Sequence, residues 1–336
     1  MQDNYTAVFK NKKILVTGGT GSIGHAIVER VLRYNPTVVR ILSNDENSLF
    51  HMSQKINDSK VRFFIGDVRD KKRLQRAVED IDIVFHAAAL KHVHLCEYNP
   101  EEAVTTNVLG TQNIIEACMI EEVESLITIS TDKASGPTNV MGATKLLAEK
   151  LTTSANQNKG NRKTRFFCVR FGNVLGSRGS VVPTFKARIE SGKTIQITDP
   201  AMTRFFMSYD QAIHLLFKCL TISKGSEVFV LKMPSLRIRD LALACAEVFS
   251  NGKNVDIEVI GRRPGEKLYE ELLSEHEIYN TVETDDMYII LPETSGYRQA
   301  ADNGNTLSKA YRSNELEALK IDKVKDLLFS EMRNFE

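Results

Sequence analysis

The 336-residue sequence has no long apolar run, no excess of either charge and no paired cysteines. None of its apolar stretches approaches the ~20 residues that a membrane-spanning helix needs. Lysine and arginine number 44 against 43 aspartate and glutamate, so the net charge of +1 provides no basic surface for nucleic acid or anionic lipid. These absences predict a cytoplasmic protein that binds neither nucleic acid nor membrane.

The five cysteines lie in apolar segments without the spacing of a disulfide framework or a zinc site. We therefore expect free, buried thiols in a reducing compartment. Apolar residues make up 42% of the chain and charged residues 26%, which is typical of a globular protein with one large core or two smaller ones.

Short apolar runs alternate with helical patterns through the first half of the chain. The runs are residues 14–17, 38–42, 61–65, 83–86, 126–129 and 166–169. This alternation predicts an α/β fold, a Rossmann-type doubly wound parallel sheet with a smaller α/β substrate domain. We expect the dinucleotide-binding domain at 1–175, with 203–224 packing back on it. The substrate domain is expected at 176–202 and 225–295, followed by a C-terminal extension at 296–336.

A glycine-rich segment, Thr17-Gly-Gly-Thr-Gly-Ser-Ile-Gly24, separates the first run from the first helical pattern. Glycines in that context allow a tight turn, close approach of a pyrophosphate and close packing of helix on strand, and the helix N-terminus supplies amide donors. A glycine turn without a ligand is the alternative. We predict a dinucleotide site, and its expected contacts are Gly18, Gly21, Ser22, Ile23 and Gly24.

The end of the second run bears on which dinucleotide binds. Asp45 lies about 20 positions beyond the loop, as expected for an acidic residue that binds the free ribose of NAD. Ser43 and Asn44 occupy the strand tip itself, where small polar residues leave room for the 2′-phosphate of NADP. Asp67, followed by Val68, is placed to read the adenine edge. We expect NADP or NAD, with NADP preferred.

Asp132 and Lys133 follow the run 126–129, and Met141 and Lys145 lie at i and i+4 on one face of the next helix. With the glycine loop, these residues and four further segments resemble the UDP-N-acetylglucosamine 4,6-dehydratases, extended short-chain dehydrogenases of bacterial glycan synthesis. The further segments are His86-Ala-Ala-Ala-Leu-Lys-His92, Asn139-Val-Met-Gly-Ala-Thr-Lys145, Arg170-Phe-Gly-Asn-Val-Leu-Gly-Ser-Arg178 and Gly261-Arg-Arg-Pro-Gly-Glu-Lys267. The likeness covers about residues 12–273.

One position departs from the usual short-chain dehydrogenase pattern, because Met141 stands where Tyr-x-x-x-Lys has its tyrosine. The methionine form resembles the members that retain the configuration at sugar carbon 5, which are often larger and membrane-anchored. The resemblance therefore implies a short, soluble lyase of the retaining subgroup.

The resemblance also implies a redox-neutral elimination of water that uses tightly bound NAD(P)+. Lys133 is expected to be the base at carbon 5, provided that its pKa is lowered, and Asp132 the acid for the leaving hydroxyl. Thr131 would bind the carbon 4 hydroxyl and Lys145 the nicotinamide ribose. A surface ion pair of Asp132 with Lys133, a solvated Lys145 and a packing role for Met141 are the alternatives.

Further residues match family positions around the two ligands. Those expected near the cofactor are Ala87, Ala88, Ala89, Lys91 and Asn107. Those expected near the UDP-sugar are Lys91, Asn173, Arg178, Val181, Arg204, Arg263 and Glu266; guanidinium groups suit a diphosphate. His86, His92 and His94 lack an accompanying carboxylate cluster, so we expect packed or solvated histidines and no metal. Helices near 101–119 and 140–156 resemble a dimer-forming pair, which implies a homo-oligomer, a dimer or higher.

Three alternatives to a UDP-N-acetylglucosamine dehydratase stay open. They are a dehydratase for GDP-N-acetylglucosamine, a sugar-nucleotide 4-epimerase, and a non-catalytic dinucleotide-sensing protein that has lost the tyrosine. The group that accepts the proton of the carbon 4 hydroxyl also stays open; Thr131, water, Asp132 and Lys133 are the candidates.

Overall fold

The computed structural model describes residues 5–292, 307 and 309–331. Its centre is a nine-stranded sheet in the order β3-β2-β1-β4-β5-β6-β10-β15-β14, parallel from β3 to β10 and antiparallel at β15 and β14. The bounds of these strands are β1 Lys13–Thr17, β2 Val38–Ser43, β3 Val61–Ile65, β4 Ile83–His86, β5 Ser125–Thr131, β6 Arg165–Phe171, β10 Val228–Leu231, β14 Thr281–Glu283 and β15 Met287–Ile290.

Helices cover both faces of this sheet. They are α1 Thr6–Phe9, α2 Ser22–Leu32, α3 Glu46–Lys55, α4 Lys71–Val78, α5 Val93–Tyr98, α6 Pro100–Ala103, a π-helical stretch Val104–Leu109, α7 Gly110–Ile120, α8 Val140–Asn158 and α10 Tyr209–Ile222. Alternate residues of one strand join different cores: Ile14 and Val16 of β1 pack on one face and Leu15 on the other. Because successive side chains of a strand point to opposite faces of the sheet and both faces are covered, successive residues of the strand are apolar, which explains the continuous apolar runs of the sequence.

β1 lies between β2 and β4, where the strand order reverses. Open α/β sheets bind ligands outside the carboxyl ends of their strands at such a switch point. The glycine loop follows β1, and Asp132 and Lys133 follow β5, so both predicted motifs reach the same edge of the sheet.

A smaller lobe is built around a separate apolar core. The elements of this part of the chain are β7 Asn173–Val174, α9 Val181–Glu190, β8 Ile195–Ile197, β9 Thr203–Met207, β11 Ser235–Arg237, α11 Ile238–Phe249, β12 Ile257–Val259, β13 Glu271–Leu273, β16 Tyr311–Arg312 and α12 Ile321–Ser330. Three of them, β7, β13 and β16, pack on the core of the large sheet through Val174, Leu272 and Tyr311. Among these elements, β11, β9 and β7 form one small sheet, β12 pairs with β8, and β13 pairs with β16.

The structure corrects the predicted domain boundary for part of residues 225–295. β10, β15 and β14 extend the large sheet, since Val228 pairs with Cys168 and Phe229 with Ile289. A four-residue apolar run shows that a strand is buried but does not show which sheet it joins, so the sequence alone could not place β10. Within the segment 203–224 that was predicted to pack on the first domain, α10 packs against α2, whereas residues 203–207 form β9 of the small sheet.

A buried ion cluster ties the late segment of the chain to the large sheet. Arg170 on β6 pairs with Glu149 at 2.6 Å and Glu277 at 2.7 Å and donates to the Leu272 carbonyl at 2.9 Å. Because each charge in this cluster is paired, the large buried guanidinium is tolerated.

The C-terminal helix α12 packs on α11 with Val324 and Leu328 buried. The predicted extension falls partly outside the described residues, which exclude 293–306, 308 and 332–336. All five cysteines are free and buried, as expected. Within the described residues, no helix is both long and apolar enough to span a membrane.

Candidate active site

The glycine loop forms a cradle of bare backbone between β1 and α2. Gly18 has φ +63°, and a Cβ atom there would lie 2.7 Å from the Ala88 backbone. A Cβ atom on Gly24 would overlap the Gly18 carbonyl oxygen. Gly21 caps α2 with no side-chain hydrogen bond, so the first amides of an 11-residue helix point toward the cradle. These features fit a dinucleotide pyrophosphate.

The strand tips on the adenosine side carry a polar network. Ser43 and Thr20 share a hydrogen bond of 2.8 Å between their hydroxyl oxygens. Asp45 caps α3, accepting from the Ser48 amide at 3.0 Å, and the Ser48 hydroxyl is the main cause of its lowered pKa. Its carboxylate is thus already committed to the helix, which counts against Asp45 as a free ribose acceptor.

Asp67 also has partners within the protein. It accepts from Arg69 Nη2 at 2.7 Å and from Asn44 Nδ2 at 3.2 Å, and the Arg69 hydrogen bond is the main cause of its lowered pKa. Adjacent Val68 is buried. Adenine recognition by Asp67 remains a prediction.

Asn107 fixes the loop that follows β4. It lies in the π-helical stretch, accepts from the Leu90 amide at 2.7 Å, and donates to the Leu90 carbonyl and to Thr144 Oγ1, each at 3.0 Å. These bonds hold Ala87, Ala88 and Ala89 opposite the glycine loop. The Asn107 side chain is bonded to protein groups and holds this loop in place, and its contribution to a cofactor site remains a prediction.

His86 is a packed residue, as expected. Its ring lies between Thr17 Oγ1 at 2.8 Å and Thr111 Oγ1 at 3.0 Å, and burial lowers its pKa to about 3. No cluster suited to a metal ion occurs among the described histidine, cysteine, aspartate and glutamate residues.

Asp132 is wholly buried where β5 ends. Its Oδ1 accepts from Thr131 Oγ1 and Lys133 Nζ, each at 2.8 Å. Among the described residues, its Oδ2 has no hydrogen-bond partner, and neither does the hydroxyl of Ser130 on the same strand. Buried polar atoms without partners are costly, so these two can serve a bound ligand.

The sequence did not identify Glu270, which lies directly before β13 and approaches Asp132 and Lys133. Only 3% of Glu270 is exposed, and its Oε1 lies 3.6 Å from Lys133 Nζ and 3.6 Å from Arg204 Nε. Its Oε2 has no partner among the described residues, and burial raises its pKa. The only sequence signal was its place just after Gly261-Arg-Arg-Pro-Gly-Glu-Lys267.

The structure contradicts the condition set for Lys133. Burial by itself lowers the pKa of the Lys133 ammonium, but the Asp132 and Glu270 carboxylates outweigh it and the net shift is upward. A carboxylate approaching from a distant segment, which the sequence could not show, is part of the reason. Lys133 can therefore act as a base only if a neighbour takes its proton.

The helix after this loop carries Met141 and Lys145. Met141 packs with Cys96 and Ala103 in a small apolar cluster, in agreement with a packing role. Lys145 is 8% exposed and donates from Nζ to the Ile129 carbonyl at 2.6 Å, and burial lowers its pKa. Lys145 therefore lies beside the end of β5, close to the Asp132 segment.

The predicted sugar-nucleotide residues do not all converge. Arg178 lies over the glycine loop, donating its backbone amide to Ser22 Oγ at 2.9 Å and its guanidinium to the Thr20 carbonyl. Lys91 Nζ donates to the Arg178 carbonyl at 2.6 Å, and burial lowers the Lys91 pKa. This part of the predicted substrate site therefore contacts the cofactor loop.

The structure does not support Arg204 as a free diphosphate clamp. It is buried, and its guanidinium donates to the carbonyls of Thr203 at 2.8 Å and Lys267 at 2.8 Å. Arg263 is exposed, with its backbone amide on Glu266 Oε2 at 3.1 Å. Asn173 and Val181 are half-buried at β7 and at the start of α9. Of the predicted arginines, Arg178 and Arg263 are exposed and Arg204 is buried.

The doubly wound sheet, the glycine cradle and the strand-end Asp132 and Lys133 define an extended short-chain dehydrogenase. The sequence pattern of the polysaccharide biosynthesis protein family matches residues 14–292, and the chain belongs to this family.

Two curated relatives and one solved structure narrow the comparison. A Campylobacter jejuni UDP-N-acetylglucosamine 4,6-dehydratase (inverting) is 46% identical over 287 residues, 85% of this chain and 84% of the relative. A Rickettsia rickettsii UDP-glucose 4-epimerase is 38% identical over 332 residues, 96% of this chain and 97% of the relative. The X-ray structure of Pen from Bacillus thuringiensis has a TM-score of 0.91 and 42% identity, covering 96% of this chain and 98% of that one.

Proposed function

We propose that this protein is a sugar-nucleotide 4,6-dehydratase that converts UDP-N-acetylglucosamine to UDP-2-acetamido-2,6-dideoxy-D-xylo-4-hexulose. The observation that carries the proposal is Asp132, buried at the end of β5. One of its carboxylate oxygens has no partner among the described residues, and the other accepts from Lys133. An elimination needs an acid and a base side by side, and this pair supplies both. The similarity to the Campylobacter enzyme supports the same substrate class.

The glycine cradle and the uncapped start of α2 fit a nicotinamide dinucleotide. Bound there, NAD(P)+ would take hydride from sugar carbon 4 and return it to carbon 6. The carbon 4 ketone acidifies the proton on carbon 5, so an amine at Lys133 suffices to remove it. Asp132, when protonated, donates to the hydroxyl that leaves carbon 6 as water. Lys145 supplies positive charge near the oxygen of carbon 4.

We propose NADP in preference to NAD. Asp45 is committed to capping α3, and the strand tip presents the small polar side chains Ser43 and Asn44. The dinucleotide released from denatured purified protein, identified by mass spectrometry, tests this proposal, and a release of NAD alone would contradict it.

The second candidate is a sugar-nucleotide 4-epimerase, favoured by the similarity to the Rickettsia protein. Epimerisation at carbon 4 requires no acid for a leaving hydroxyl, so it leaves the buried Asp132 without a purpose. Incubation with UDP-N-acetylglucosamine separates the candidates: NMR shows a 4-ketosugar for the dehydratase, a carbon 4 epimer for the epimerase and no change for a dinucleotide sensor. A parallel reaction with GDP-N-acetylglucosamine decides the nucleotide.

We further propose that the protein forms a homo-oligomer through α7, α8 and the neighbouring π-helical stretch. Val104, Leu109 and Leu147 on this face are exposed apolar side chains. A second copy of the same face would remove them from water, which is the usual reason for such a patch.

A further inference from the structure

The proposed dehydration moves more protons than Asp132 and Lys133 can hold. Two protons leave the sugar, from the carbon 4 hydroxyl and from carbon 5. Two are delivered, one to the departing hydroxyl and one back to carbon 5. Asp132 supplies the proton for the departing hydroxyl and Lys133 removes the carbon 5 proton, so the carbon 4 proton needs a third acceptor. Met141 occupies the tyrosine position and has no titratable group.

Glu270 is a third titratable group in direct reach of this pair. Its Oε1 lies 3.6 Å from Lys133 Nζ, which is too far for a hydrogen bond, but a small rotation of the lysine side chain would form one. Its Oε2 has no partner among the described residues. The backbone of Glu270 is anchored, because its amide donates to Ser313 Oγ at 3.0 Å and its carbonyl accepts from the Ser313 amide at 2.9 Å. The backbone is thus held in place, and Oε2 stays without a partner among the described residues.

The charges around Glu270 allow it to take up and release a proton. Lys133 and Asp132 face it from the loop after β5, Arg204 from β9, and Lys267 from its own segment. Burial and the Asp132 carboxylate disfavour its charged form, the three cations favour it, and the net shift of the Glu270 pKa is upward. Lys133, at 3.6 Å, is the neighbour with which Glu270 would exchange the proton.

We propose that Glu270 is a positioning residue that stores, through Lys133, the proton released from the carbon 4 hydroxyl. This inference rests on the proposed dehydratase function. It explains how a site without the tyrosine lets a single lysine remove two protons in one turnover.

The proton count closes over the cycle. In the resting cluster only Lys133 is protonated, and a shift of that proton across the 2.8 Å bond to Asp132 leaves an amine and a carboxylic acid. The amine takes the carbon 4 hydroxyl proton and passes it to Glu270, breaking an N–H bond and forming an O–H bond. The regenerated amine takes the carbon 5 proton while Asp132 protonates the leaving hydroxyl.

Two proton transfers restore the resting state. Lys133 returns a proton to carbon 5, and Glu270 then returns its stored proton to Lys133. Every proton transfer occurs within the three residues and the sugar, so wild-type turnover should depend little on pH near neutrality.

Glu270→Gln tests the proposal because it preserves shape and removes the proton store. Lys133, once protonated, must then release its proton to solvent before it can act at carbon 5. We expect kcat to fall about 10²-fold near neutral pH with KM nearly unchanged. The residual rate should rise about tenfold per pH unit. The first turnover should accumulate reduced nicotinamide, because carbon 4 oxidation precedes the blocked step.

Two further variants separate this role from a structural one. Glu270→Asp keeps the carboxylate and should restore the flat pH profile at an intermediate rate. Glu275→Gln makes the same change on an exposed residue of the same segment, where the carboxylate pairs with Arg312, and should match wild type. Glu270→Gln turnover within about threefold of wild type with a flat profile would overturn the proposal.

Labelling of Lys133 provides a readout that does not require activity. Its acetylation by trace acetic anhydride, followed by mass spectrometry across pH, reports the Lys133 pKa in wild type and Glu270→Gln. Removal of the Glu270 carboxylate should lower that pKa, and an unchanged value would refute the coupling. A wild-type protein that forms no 4-ketosugar would refute the proposed function instead, and the labelling would still decide whether Glu270 controls Lys133.

Discussion

Asp132→Asn should abolish most turnover while leaving the fold and ligand affinity nearly intact. An asparagine keeps the shape of the side chain, and its Oδ1 can still accept from Thr131 and Lys133, the two donors now at 2.8 Å. The unpartnered Oδ2 becomes an amide nitrogen that cannot deliver a proton to a leaving hydroxyl. Loss of a general acid typically reduces rate ~10²–10⁴-fold, about 3–5 kcal/mol of activation free energy.

The assay is ketosugar formation under saturating UDP-N-acetylglucosamine, with substrate affinity measured separately by calorimetry. Asp322→Asn, the same change on an exposed residue of α12, is the control and should match wild type. Turnover of Asp132→Asn within about threefold of wild type would remove Asp132 from the acid role. A loss confined to substrate affinity would assign Asp132 to binding instead.

Four other outcomes are expected. Arg263→Ala should weaken sugar-nucleotide binding more than it lowers kcat, because a diphosphate contact serves ground and transition states alike; calorimetry checks this against Arg262→Ala, and an unchanged dissociation constant would make the assignment wrong. Fresh product should keep the carbon 5 configuration, as the resemblance of the Met141 segment implies, with one deuterium incorporated at carbon 5 in heavy water; an L-arabino product in the NMR spectrum contradicts retention. Sedimentation at micromolar concentration should show a species larger than the 37.8 kDa chain, and a monomer alone would argue against association through α7 and α8. Acid should destabilise the fold. Burial alone raises the pKa of Glu277, but Arg170 outweighs burial and holds the pKa in the folded protein at about 2, below the ordinary 4.5. The stability that this ion pair contributes above pH 4.5 is therefore lost as the pH falls toward 2. In urea unfolding, the free energy of unfolding of Glu277→Gln should fall less with acid than that of wild type. An equal pH dependence in the variant and in wild type would exclude the Glu277–Arg170 pair as the source of the effect.

The sequence alone determined the elements whose signals are local. Apolar runs predicted the strands from β1 to β6, because strands buried on both faces need continuous apolar residues. Glycines between a strand and a helix predicted the cradle, where the backbone at Gly18 and Gly24 admits no side chain. The Asp132-Lys133 pair was identified by its place after a strand, since the ends of parallel strands meet at one edge of the sheet.

The tertiary structure decided which distant segments meet at that edge. The sequence of strand β10 does not indicate which sheet the strand joins, and its hydrogen bonding to β6 places it in the large sheet. Arginine commonly binds phosphate, yet in the folded protein the guanidinium of Arg204 is buried and donates to backbone carbonyls. Glu270 reaches Lys133 only because it lies directly before β13, and β13 packs against the turn that follows β5. The protonation state of Lys133 depends on that contact, since a charge far along the chain but near in space leaves no local pattern in the sequence.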